Sequence, residues 1–152
     1  MSSFWTSLRG FDHDPTAPLR EEFDRLAEQR GWKLKSENYK QNWVRCALEE
    51  FGYQFGRDED RLAGWQALCA IVGVTDVPDT IVGCRAIMKK TWVNIYDLLD
   101  AQRTGGPVVQ HRTKHALRVY SLQNEKIFPK ETAKENRFLA VLLIDMFARA
   151  RP

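Results

Sequence analysis

A chain of 152 residues, 43% hydrophobic and 28% charged, is long enough for one hydrophobic core and too apolar for a disordered linker. Five Trp, four Tyr and eight Phe favour a densely packed interior. A formal net charge of +3 is compatible with an acidic partner and excludes the heavily basic composition of a dedicated polyanion binder.

Residues 1–17 lack helical periodicity and are interrupted by Pro15, yet Phe4, Trp5 and Phe11 are too apolar for a free tail. They are expected to form an extended arm over the helices, with a partly disordered terminus as the alternative. Pro18 suits the first turn of a helix carrying Leu19, Phe23 and Leu26 and stopped by Gly31. Ser36 caps the next, whose stripe of Tyr39, Trp43, Ala47, Phe51 and Phe55 ends at Gly56. A strict four-residue step drifts by about 40° per step, so this helix should touch more than one neighbour. Glu49 and Glu50 fall on its exposed flank.

Asp58 or Asp60 caps a third helix with Leu62, Trp65, Leu68, Cys69 and Val72 inward and Gly73 at its end. Pro78 opens a fourth. Ile81, Cys84, Met88, Ile95 and Leu99 keep helical phase, either as one long helix or as two broken near Thr91 and Val93. Residues 101–112 read as a loop around Gly105, Gly106 and Pro107, followed by a short helix capped by Thr113 with Leu117 and Tyr120 inward. Thr132 and Glu135 form a capping-box pattern before a last helix, FLAVLLIDMF, with a basic end at Arg149 and Arg151. That helix is apolar nearly all round. It is either the central core helix or partly an interface, with Leu142, Met146 and Phe147 as candidates for contact with a protein partner. No strand pattern or internal repeat is visible. The expectation is an all-α fold: one compact domain over 18–150 of about six helices, orthogonal or bundle-like.

The chemistry-bearing residues are few. Cys46, Cys69 and Cys84 are odd in number, widely spaced and on apolar helix faces, which points to core thiols in a reducing compartment rather than a disulfide framework or nucleophile. His111 and His115 are four apart, but Thr113 between them as a cap puts His111 outside the helix, so no metal site is expected. There is no Walker, GxGxxG or GxSxG motif, and no cofactor is implied. The N-terminus lacks an apolar h-region, and the longest apolar run, 138–144, is far short of the roughly 20 residues that span a bilayer. An intracellular protein, cytoplasmic or nuclear and without a membrane role, is expected.

Residues 65–92 carry two helical patterns joined by a Pro-containing turn, the second bearing Arg85, Lys89 and Lys90. Trp65, Leu68, Cys69, Val72, Thr80, Cys84 and Arg85 make the segment 43–92 similar to Myb/SANT-like three-helix domains, about a third of the chain. The turn GVTDVPD is longer than usual in that class, and the third helix continues toward VNIYDLLD. The resemblance implies that the third helix faces a nucleic-acid groove or a protein, with Arg85, Lys89 and Lys90 on phosphate or base edges. Arg112, Lys114 and Arg118 supply a second basic edge. The order of EEFDRL, WQALC, CR, VNIYDLLD and FPKETAK also resembles a family of small, uncharacterised proteins of filamentous fungi, which transfers no site residues. The leading expectation is a non-enzymatic binding module whose partner is another protein or a second copy. The runner-up is a nucleic-acid-binding protein using Arg85, Lys89, Lys90, Lys114 and Arg118.

Overall fold

The structure, a computed structural model, describes residues 1–147, with side chains through Ile144. The described residues form eight α-helices, one 3-10 turn and a two-residue ladder. These are α1 (Ser3–Thr6), α2 (Leu19–Arg30), α3 (Glu37–Phe55), α4 (Leu62–Ile71), α5 (Ile81–Met88), β1 (Trp92–Val93), α6 (Ile95–Thr104), β2 (Gln110–His111), α7 (Lys114–Gln123), the 3-10 turn Lys130–Lys134 and α8 (Arg137–Phe147). The class is all-α, with more and shorter helices than the periodicity suggests. None is long and apolar enough to cross a membrane. The anticipated basic end at Arg149 and Arg151 lies outside the described residues.

The centre is α3. Ser36 accepts the Tyr39 N–H at 3.2 Å, and the whole stripe from Tyr39 to Phe55 is buried. Because the stripe drifts, α3 meets α1, α2, α4, α6 and the 3-10 turn around its circumference. Rings link these contacts: Phe23 to Trp43 at 5.2 Å, Trp43 to Tyr96 at 5.5 Å, and Trp65 stacked on Phe138 at 4.7 Å. Gly64 lies where α4 crosses α8, and a Cβ there would overlap the Phe55 carbonyl and the Phe138 ring.

Two expectations are corrected, and the alternative left open over 81–99, one long helix or two, is decided. The N-terminal residues are not simply an extended arm: α1 is one helical turn that drives Phe4 and Trp5 into the same core as the later helices. Residues 81–99 are two helices. The Thr91 hydroxyl bonds back to the Ile87 carbonyl at 2.8 Å, and Trp92–Val93 run extended in an antiparallel ladder, Trp92 opposite His111 and Val93 opposite Gln110. Two residues per strand carry no alternation, so this ladder was invisible in the sequence. Finally, α8 starts at Arg137, capped by Asn136, whose Oδ1 accepts the Leu139 N–H at 2.9 Å. The Thr132 hydroxyl instead bonds the Pro129 carbonyl at 2.6 Å.

Candidate functional site

A groove of about 660 Å³ opens between α7, the segment 126–130 and α8. Its near bank follows from the sequence of α7. Thr113 caps the helix by accepting the Ala116 N–H at 3.0 Å, and Leu117 and Ser121 bury one face against the fold. Lys114 and Arg118, one helical turn apart, are then left along the lip. Ile95 and Phe128 lie on the floor, with Ile127 and Leu143 across from α7.

The polar atoms of the floor are already committed. Asn94 caps α6 through Oδ1, accepting the Tyr96 N–H at 2.9 Å, and its Nδ2 donates to Ser121 Oγ and to the Lys126 carbonyl, both at 2.9 Å. Ser121 in turn donates to the Leu117 carbonyl at 2.8 Å. Lys126 at the groove edge is held by Asp97 at 2.8 Å and the Tyr120 hydroxyl at 2.9 Å. Burial works against its charge, but the Asp97 carboxylate and Tyr120 win and raise its pKa above the ordinary lysine value. Lys114, Arg118, His115 and Lys130 differ: among the described residues none has a carboxylate partner, and no Asp or Glu lines the groove. The site is therefore an apolar trough under a cationic rim.

Lys114 and Arg118 fall at this site; the other anticipated residues do not line it. Arg85 is half-buried, its guanidinium 6.0 Å from the centre of the Trp65 ring. Lys89 and Lys90 are exposed at the C-terminal end of α5. Continued one residue outward, the β1–β2 register sets Thr91 opposite Arg112, so the turn carrying Lys89 and Lys90 adjoins the start of α7. Leu142 is 0% exposed and belongs to the core, so it offers no surface to a partner. The side chains of Met146 and Phe147 lie outside the described residues.

A second cluster was not anticipated. Glu50, expected on an exposed flank, is buried and pairs with Arg103 at 3.1 Å. Arg103 also donates to the carbonyls of Ala17 at 2.6 Å and Asp14 at 3.1 Å. Beside it, His13 Nδ1 lies 2.8 Å from Glu22, and the His13 ring stacks on Trp5 at 3.9 Å. Glu22 also receives Arg25 at 2.8 Å and the Asp14 N–H. Burial, reinforced by the Arg103 charge, holds the His13 pKa below its usual value, so the ring is neutral near pH 7. Burial would raise the Glu22 carboxyl, but the Arg25 and Asp14 hydrogen bonds outweigh it and hold it low. These groups come from the arm, α2, α3 and α6, and the only hint in the sequence was that Glu22 and Glu50 each precede a core Phe.

The three cysteines are free and fully buried. Burial, with the Cys84 thiol beside it, pushes Cys69 up to about 12, and burial raises Cys46 well above the ordinary thiol range, so both stay protonated. His111 sits on β2 with its ring 4.6 Å from that of Tyr120, away from His115 on the exposed face of α7. Among the described residues, no three His, Cys, Asp or Glu side chains converge as a metal site requires.

No known protein family, curated protein or solved structure matches this chain.

Proposed function

We propose that this chain is a non-catalytic binding module that docks an acidic segment of a partner protein in the groove beside α7. The observation that carries this reading is the apolar floor under Lys114, Arg118 and Lys130, with no carboxylate in the lining among the described residues. Such a site favours an occupant with apolar bulk and negative charge. The perturbed groups support the non-catalytic part: the Cys46 and Cys69 thiols are buried and protonated, and His13 and Glu22 fasten the arm. Three free buried cysteines suit a reducing compartment, cytoplasm or nucleus. The likeness to small proteins of filamentous fungi fits this reading without assigning a site.

The test is photo-crosslinking in the native cell, with a benzophenone amino acid in place of the exposed Ile127. A discrete protein adduct that disappears in the Lys114→Glu/Arg118→Glu variant is expected. No adduct, or adducts to nucleic acid alone, would overturn the reading.

A second reading, duplex nucleic-acid binding, is favoured by the β1–β2 register, which sets Thr91, next to Lys89 and Lys90, opposite Arg112, just before Lys114 at the start of α7. Four phosphate contacts would give a log–log salt slope of about −3.6. No retention of duplex at low salt eliminates this reading.

A further inference from the structure

Resting on the protein-partner reading, we infer that the groove takes an amphipathic helix of about two turns, with apolar residues facing the floor and carboxylates along its flanks. Backbone satisfaction favours a helix over a strand in this groove. An extended peptide reaches an apolar trough with its N–H and C=O groups unpaired, and burying them without partners is costly. Strand-adding sites meet that need with an open sheet edge. This groove has none. Its banks are helix surfaces and the segment 126–130, and the side-chain polar atoms of Asn94 and Ser121 already bond within the protein. A helix satisfies its own backbone and presents only side chains, so it fits where a strand does not.

The length of the groove matches a short helix. The bank from Lys114 to Ser121 spans seven residue steps, about 10 Å at the helical rise, or two turns of an occupant lying alongside. Two turns present apolar side chains at i, i+3 or i+4, and i+7, the spacing needed to fill a trough floored by Ile95 and Phe128 and closed by Leu143.

The charge of the rim calls for carboxylates on the occupant. Lys114 and Arg118 stand one turn apart on one bank, and Lys130 stands on the other. Carboxylates one turn apart on the occupant match the first pair, and one on its opposite flank matches Lys130. A bare polyanion would reach the rim and leave the apolar floor wet.

The experiment measures binding of synthetic helical peptides to the full chain by fluorescence anisotropy. The probe is a peptide of about 14 residues with Leu and Phe on one stripe and Glu on both flanks. Its controls are the same composition scrambled, the same stripe with Lys for Glu, and laurate as an anionic amphiphile without a helix. The Glu peptide is expected to bind, to weaken as salt rises, and to lose at least about tenfold in affinity against Lys114→Glu/Arg118→Glu. The Lys peptide is expected to prefer that variant. Equal binding of the scrambled peptide would overturn the helical register. Binding unaffected by the charge reversal, or displaced by laurate at lower concentration than by the Glu peptide, would overturn the site or the occupant. If no peptide binds while the crosslinked protein adduct still disappears on charge reversal, the helical occupant is wrong and the binding reading stands. If the adduct is missing as well, both are wrong. Thermal melting of the variant confirms that it is folded.

Discussion

Arg103 holds more of the molecule together than any residue the sequence singled out. Its guanidinium joins Glu50 on α3 to the carbonyls of Asp14 and Ala17, and it lies 5.8 Å from the Trp5 ring. Truncating one partner of a buried pair leaves the other charge uncompensated, so Arg103→Ala should cost about 3–5 kcal/mol in urea denaturation. Replacing both partners, as Arg103→Met/Glu50→Met, should recover part of that. Recovery stays incomplete because the two carbonyls remain unpaired. The neighbouring pair gives a pH signature. His13 is held below its ordinary 6.5, so the unfolded chain takes up the proton first and stability falls as pH drops through about 6.5. Glu22 is held below its ordinary 4.5, so its contribution is complete above that value and is lost as pH falls through the lower folded pKa. Urea midpoints followed by Trp fluorescence should decline in these two stages, and His13→Gln should remove the upper one. None of this was legible in advance. A charged residue beside a core Phe looks the same in sequence whether it points to water or to a partner 53 positions away.

At the scale of elements, local chemistry was a good guide wherever the determinants are local. Ser36 and Thr113 cap where a hydroxyl before a periodic run says they should, and Gly31 ends α2 at φ 72°. The reading failed where a competing partner intervened. Thr132 and Glu135 have the spacing of a capping box, but the Thr132 hydroxyl is taken by Pro129, and Asn136 starts the helix instead. Asn136 also donates to the Gly56 carbonyl at 3.1 Å, tying α8 to the end of α3. Asn136→Ala therefore removes a cap and a buried tertiary hydrogen bond. A loss of about 2 kcal/mol is expected by thermal or chemical denaturation. A loss within about 0.5 kcal/mol, the range of an ordinary surface change, would show that neither bond contributes. Thr91 decides a choice that periodicity left open: its bond back to Ile87 and the ladder beyond it break the run near Thr91 and Val93.

Across the whole molecule, stability and recognition reside in different polar groups. The buried set, His13, Glu22, Glu50 and Arg103, fastens the N-terminal residues to α2, α3 and α6. The rim set, Lys114, Arg118 and Lys130, has no acidic partner among the described residues. Lys114→Glu/Arg118→Glu should therefore leave the melting transition nearly unchanged, within about 0.5 kcal/mol, while abolishing partner capture. Arg103→Ala should destabilise the fold and leave the groove's affinity intact at temperatures where the chain is folded. Neither Asp58 nor Asp60 caps α4, whose N-cap is Arg61, whereas helical class, the caps at Ser36 and Thr113, the stripe of α3 and the burial of the cysteines followed from the sequence alone. Each depends on contacts within a few turns or on apolar periodicity, which one chain displays without its neighbours. The ladder, the ion pairs and the groove were decided only by tertiary structure. They join residues tens of positions apart whose spacing carries no pattern. The basic edges at 89–90 and 112–118, separate in sequence, become neighbours only because Trp92 pairs with His111.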